Sequence, residues 1–154
     1  MEVILTAAVA VVGTLLGAAA THLFALRERR RSAQVEQSDR LRAERLAVCA
    51  ELAELLTHFR GVQRARRVLE VGAGNAAELA ELKAEADRTR TSSRGAIFRL
   101  RLLGADPGLV ALATDAREKA IDTHKPDADG RRRIEDARAA VDAFVEEAAR
   151  RLVA

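Results

Sequence analysis

Few side chains in this 154-residue chain can act as a nucleophile, a general base or a metal ligand, and those few are scattered. His22, His58 and His124 lie far apart, without the short helical spacing that lets neighbouring imidazoles share a metal ion. The single cysteine, Cys49, cannot form an internal disulfide and adjoins the apolar stripe at Val48, so its thiol is expected to be buried and inert. Acids are plentiful but sit in helix-surface arrangements such as Glu81 with Glu85 and Glu135 with Arg138. No catalytic or metal-binding set emerges, and neither an enzyme nor a bound cofactor is expected.

One segment imitates a cofactor cradle. Val68-Leu69-Glu70-Val71-Gly72-Ala73-Gly74-Asn75-Ala76 resembles the first motif of S-adenosylmethionine-dependent methyltransferases, where an apolar strand ends in an acid and a glycine-rich turn lets the backbone approach the cofactor. Such a motif works only between a strand and a helix inside a βαβ sheet. Nothing downstream supplies further strands, the third glycine position holds Ala76, and Val68 to Val71 continues a helical stripe. The segment therefore reads as helix, turn and next helix.

The chain's clearest signal concerns location. Residues 3 to 26 carry no Asp, Glu, Lys or Arg, and Arg27, Glu28, Arg29, Arg30 and Arg31 follow at once. At 1.5 Å rise, such a run makes about 36 Å of helix, enough to cross a hydrocarbon core of about 30 Å. Ala18 and Ala20 also offer signal-peptidase spacing, but a signal peptide places its positive charge before the apolar stretch and here the arginines come after it. The expectation is a single-pass membrane helix, with Met1-Glu2 outside and the C-terminal domain in the cytoplasm, because basic residues beside a span stay on the cytoplasmic side. Within the span, Gly13 and Gly17 form a GxxxG motif extended by Thr21, a small-residue face on which a second helix can pack and a homo-oligomer form.

Between residues 27 and 45 the arginines outnumber the acids, and Arg27, Arg29, Arg30 and Arg31 form a basic flank suited to lipid headgroups. Farther along, Arg64, Arg66 and Arg67 read as a solvated helix face or as salt bridges to the following helix. The formal charge is only +3, and all basic residues but Lys83, Lys119 and Lys125 are arginine. There is no Trp or Tyr and only three Phe outside the apolar run, Phe59, Phe98 and Phe144, so platforms for nucleic-acid bases are nearly absent. The expected partners are the lipid bilayer and an unidentified protein, not nucleic acid.

These residues need elements to carry them, and after residue 31 the apolar residues recur at threes and fours throughout. Leu41, Val48, Leu52, Leu55, Phe59, Val62 and Leu69 make one stripe; Leu79, Leu82, Ala86, Ser93, Ile97, Leu100 and Leu103 a second, with Gly95 as a bend or close helix contact. Leu109, Leu112, Ala116 and Ala120 make a third, and Ile134, Ala137, Val141, Phe144, Ala148 and Leu152 a fourth. Gly72-Ala73-Gly74 and Gly104 punctuate the chain, Asn75 with Glu78 has capping-box spacing, and Asp106-Pro107 opens a helix with a cap and a proline. The predicted fold is all-α: a membrane anchor over residues 1–31, then an antiparallel up-down bundle over 32–154, with helices at about 33–71, 76–103, 107–124 and 131–153.

With Val11-Val12-Gly13-Thr14-Leu15-Leu16-Gly17, the arginines, Arg42-Ala43-Glu44-Arg45, Phe98-Arg99-Leu100 and Gly104-Ala105-Asp106-Pro107, the chain resembles a group of small actinobacterial membrane proteins. They carry the name KilB, after a protein of a conjugative plasmid's spread system. The resemblance implies a membrane-anchored protein connected with plasmid or mobile-element transfer, and it carries no catalytic residues over. An interaction or tethering module fits this reading best. A stalk or oligomeric assembly subunit is the alternative, opposed by turns that should fold the helices back on one another, and an S-adenosylmethionine-binding enzyme comes last.

Overall fold

The computed structural model describes residues 2–72, 75–123 and 130–153, and the side chains of 28–29, 31–72, 75–123 and 130–153. Four α-helices follow one another: α1 (Glu2–Val71), α2 (Ala76–Leu102), α3 (Pro107–Asp122) and α4 (Gly130–Leu152). No strand occurs among the described residues, so Val68 to Val71 is the last turn of α1 and the methyltransferase-like segment lacks the strand that motif requires.

The chain divides into two compact units, Met1–Arg40 and Leu41–Ala154. In the first, every described side chain is exposed. Local bonds run along the helix: Arg40 pairs with Glu36 at 2.6 Å, and Ser38 Oγ donates to the Val35 carbonyl at 2.7 Å. With charges on all sides this stretch has no apolar stripe to bury, and the second compact unit begins at Leu41. Among the described residues no helix is long and apolar enough to cross a membrane. The side chains of the apolar run, Val3 to Leu26, lie outside those residues.

In the second unit, cross-helix bonds establish the order of the helices. Glu51 of α1 pairs with Arg99 of α2, and His58 Nε2 meets Glu85 Oε1 at 2.8 Å, so numbers rise along one helix as they fall along the other. Arg117 of α3 donates from Nε to Ser93 Oγ of α2 at 3.2 Å, and Arg151 of α4 pairs with Asp106 at the start of α3. Gly130, opening α4, lies against Arg67 near the end of α1. Each helix is thus antiparallel to its two neighbours, the up-down arrangement that short connections favour.

The helix ends close as the sequence chemistry predicts. The Asn75 side chain accepts from the amide of Ala77 at 2.9 Å, capping α2 at its second residue rather than the third that a capping box uses. At the other end Gly104 has φ +65°, the Gly104 amide donates to the Arg101 carbonyl and the Ala105 amide donates to that of Leu100, the paired bonds of a Schellman motif. Asp106 Oδ1 accepts from Gly108 at 2.7 Å and Leu109 at 3.3 Å, with Pro107 in the first turn where no amide is needed. A Cβ on Gly108 would come within 2.9 Å of that same Asp106 oxygen, so a larger residue there would make the capping carboxylate shift.

The core contains Val48, Cys49, Leu52, Leu56, Phe59 and Val62 from α1, together with Ile97, Leu100, Leu109, Val141 and Phe144. Alanines fill much of the remainder, with Ala96, Ala113, Ala116, Ala120 and Ala137 fully enclosed. Leu56, 1% exposed, takes the place expected for Leu55, which packs at the edge. A Cβ on Gly95 would meet nothing within 4 Å, so this glycine makes no close helix contact.

Leu56→Ala should therefore cost about 2–5 kcal/mol and Leu55→Ala distinctly less, read from urea unfolding followed by circular dichroism. The same measurement should give opposite signs for two glycines. Gly104→Ala loses about 1–2 kcal/mol because alanine resists the left-handed region, whereas Gly95→Ala gains about 1 kcal/mol of helix propensity.

Candidate functional site

The residues expected to matter in the first unit all fall on α1. Gly13, Gly17, Thr21, Arg27 and Arg30 have side chains outside the described residues, while Arg29 and Arg31 are exposed to solvent. Of the histidines, His22 and His124 also lie outside. His58 has its ring against Glu85, whose carboxyl is held below its ordinary value by that hydrogen bond first and by the Arg88 and His58 charges as well, against some desolvation. Among the described residues no group of three His, Cys, Asp or Glu side chains could hold a metal ion.

Cys49 is 3% exposed, and burial pushes its thiol up to about 11, which removes the thiolate that nucleophilic chemistry requires.

At one end of the second unit, arginines gather along the last turns of α1. Helical spacing sets Arg60, Gln63, Arg64 and Arg67 on one side of the last turns of α1, with Thr57 a turn before them. Arg67 donates to the carbonyl of Thr123, the residue that ends α3. Thr123 is itself buried, its hydroxyl donating back to the Ala120 carbonyl at 2.7 Å. Gly130 starts α4 where a Cβ would lie 3.1 Å from Arg67 Nη1, so the lack of a side chain lets the helix begin beside that guanidinium. Thr57, Arg60, Gln63, Arg64, Arg67 and Thr123, with Gly61 and Ile134, line a half-open cavity of about 270 Å³. No carboxylate lines it among the described residues.

Of the two readings of Arg64, Arg66 and Arg67, Arg64 fits the solvated face, and neither Arg66 nor Arg67 makes a salt bridge to the second helix among the described residues. Arg66 pairs at 2.8 Å with Glu70 one turn along α1, and Arg67 reaches α3 instead. Arg60 had no place in the predicted cluster because it follows Phe59 of the core stripe. The signal that could have found it is the run of arginines at 60, 64 and 67, which recurs at helical spacing.

The opposite end is balanced. Asp106, the cap of α3, meets Arg151, which also joins Arg150 in holding the nearly buried Glu147. Desolvation opposes ionisation of Asp106, but the Gly108 and Leu109 amides and Arg151 together hold its carboxyl below the ordinary range. These pairs close a capped helix end.

The family described as KilB plasmid transfer protein matches residues 46–152, more than half of the chain. The chain belongs to the KilB plasmid transfer protein family. The matched stretch takes in Phe98-Arg99-Leu100 and Gly104 to Pro107, on which the resemblance partly rested, and leaves out Val11 to Gly17, the arginine flank and Arg42 to Arg45. KilB similarity thus resides in the bundle, and the arginine-lined cavity lies wholly inside it. Family membership is consistent with a role in plasmid transfer. No curated protein and no solved structure matches the chain.

The buried thiol makes a pH test available. Its proton is held more tightly in the folded chain, so the associated stability is complete below about pH 9 and lost as pH rises toward about 11. Cys49→Ala should flatten that alkaline decline in urea-unfolding curves taken across the window. A disulfide reagent at neutral pH should label the native protein far more slowly than the unfolded one.

Proposed function

We propose that this KilB-family protein is a single-pass membrane tether without enzymatic activity, whose cytoplasmic bundle holds a protein partner of the plasmid-transfer process at the membrane. The observation that carries the reading is the division of the chain. The family match occupies 46–152, while an uncharged run suited to lipid, residues 3 to 26, precedes it and ends in arginines.

The exposed surface of the bundle supports an interaction role. Phe98 is 47% exposed, with the Arg94 guanidinium 5.5 Å from its ring centroid, and Leu102 is 87% exposed. Large apolar groups of this kind are ordinary singly, but an aromatic with an arginine on its face is the combination that protein interfaces favour. Self-association is part of the proposal, through Gly13, Gly17 and Thr21, because only small side chains let two helix backbones approach within lipid.

A reporter active only in the cytoplasm, fused after Ala154, should give signal, and one active only outside the membrane should not. The reverse result would invert the orientation. Deleting residues 3–26 should move the protein from the membrane fraction to the soluble one and reduce plasmid transfer. Unchanged fractionation would remove the anchor from the proposal.

A further inference from the structure

The outward face of α2 carries apolar groups that nothing covers among the described residues. Phe98 and Leu102 stand there one turn apart, both exposed, and Gly95 comes a turn before them with open space where a Cβ would be. At about 100° per residue, Thr91, Ala84, Ala80 and Ala77 continue the line toward the start of the helix, all exposed and all within a sector of about 60°. The side buried in the bundle is the other one, through Ala86, Ser93, Ile97 and Leu100. α2 therefore has a second stripe, with large groups toward its C-terminal end and small ones toward its N-terminal end.

Charge is divided along the same helix. Glu78, Glu81, Glu85 and Asp87, with Lys83, belong to its first half; Arg88, Arg90, Arg94, Arg99 and Arg101 belong to its second, which has no acid. The helix dipole favours acids at a start and bases at an end, but it fades beyond the first and last turns, whereas this change falls in mid-helix between Asp87 and Arg88. Contacts with α1 use part of the charge, by pairing Glu51 with Arg99 and His58 with Glu85. Helical spacing puts Asp87 and Arg94 on one flank of the outward stripe instead. Arg94 has like charge near it in its own chain: burial first, then Arg90 and Arg94, hold the Arg117 guanidinium below its ordinary value, against Glu118.

A helix graded in both size and charge is complementary to a reversed copy of itself. Laid antiparallel with the two-fold axis near Arg90, one α2 sets Phe98 between Ala80 and Ala84 of the second copy and Leu102 against Ala77, large groups into small spaces. The same register brings Asp87 to Arg94 and Glu81 to Arg99, each pair made twice by symmetry. A parallel pair would set acids against acids and arginines against arginines.

We propose that the bundle forms an isologous dimer with a second copy of this chain, α2 packed antiparallel on α2, with Phe98 and Leu102 as its apolar anchors and the pairing of Asp87 with Arg94 fixing its direction. The occupant is a second copy because the two halves of α2 complement each other in size and in charge at one register. The axis of such a pair crosses the helices, where the axis of two parallel membrane helices runs along them. This contact is therefore distinct from association through Gly13 and Gly17 and does not depend on the anchor.

The test uses the full chain in non-ionic detergent, carrying Cys49→Ala and one new cysteine on α2, treated with a short bismaleimide across a dilution series. Thr91→Cys, beside the axis, should link to its own copy, and Ala77→Cys, at the far end of the helix, should not. Asp87→Arg should raise the dissociation constant read from Thr91→Cys linking about tenfold or more, because each copy then sets like charge against Arg94 of the other. Adding Arg94→Asp to the same chain should restore linking, since the exchanged charges meet again across the axis. The two positions are about 10 Å apart along one helix, too far to pair within a single copy.

The proposal is overturned if Thr91→Cys does not link, or if Ala77→Cys links equally, the result of a parallel contact. It is also overturned if the Asp87→Arg chain, helical by circular dichroism, links as readily as the unaltered one or is not restored by the exchange. Linking of Thr91→Cys in native membranes to a different polypeptide alone would overturn it in favour of a heterologous partner.

Discussion

A seam of apolar side chains on the distal part of α1, from Val48 and Cys49 through Leu52, Leu56 and Phe59 to Val62, supports the other three helices. They could not stand without it. α3 is 16 residues long, and of its buried residues Ala113, Ala116 and Ala120 are alanines, which bury little area each. A helix of that length is marginal alone in water. α4 contributes one large fully buried group, Phe144, and alanines around it. The bundle therefore depends on a few large groups meeting small ones closely, because dispersion between well-packed atoms replaces the area that aromatic residues would supply.

Besides the cross-helix pairs of Arg99 and Arg151, arginine serves the helix ends and the helix faces around this core. Arg45 donates from Nε to the Leu103 carbonyl at 2.9 Å, and Arg67 donates to that of Thr123, so two side chains of α1 close the C-terminal ends of α2 and α3. Unpaired carbonyls and the negative end of the dipole make a helix terminus a good place for a cation. Arg40, Arg66 and Arg138 form pairs along their own helices, of the kind worth a few tenths of a kcal/mol. Arg60, Arg64 and Arg67 together line the distal cavity.

Family and fold bear on different parts of the chain. KilB similarity covers residues 46–152, which lie within the compact unit Leu41–Ala154. The apolar run and the exposed charged stretch before Arg40 stand outside it. The two parts differ in composition, one uncharged from residue 3 to 26 and the other rich in paired charges, and the proposed tether is built on that difference.

Local chemistry in the sequence determined the helices and their ends. Asn75, Gly104 and Asp106-Pro107 act through hydrogen bonds and backbone angles within a few residues, so their roles do not depend on what packs nearby. The uncharged length of residues 3 to 26 is likewise a property of the chain itself. Only the tertiary structure could decide between Leu55 and Leu56, which are about 100° apart on the helix and both within an apolar sector of that width, so the neighbouring helices choose which one turns inward. It also decided that Gly95 faces open space, and that of neighbouring arginines Arg66 finds Glu70 and Arg67 finds α3. A charged side chain is long and flexible, and its partner is set by which helix end comes within its reach, something periodicity does not contain.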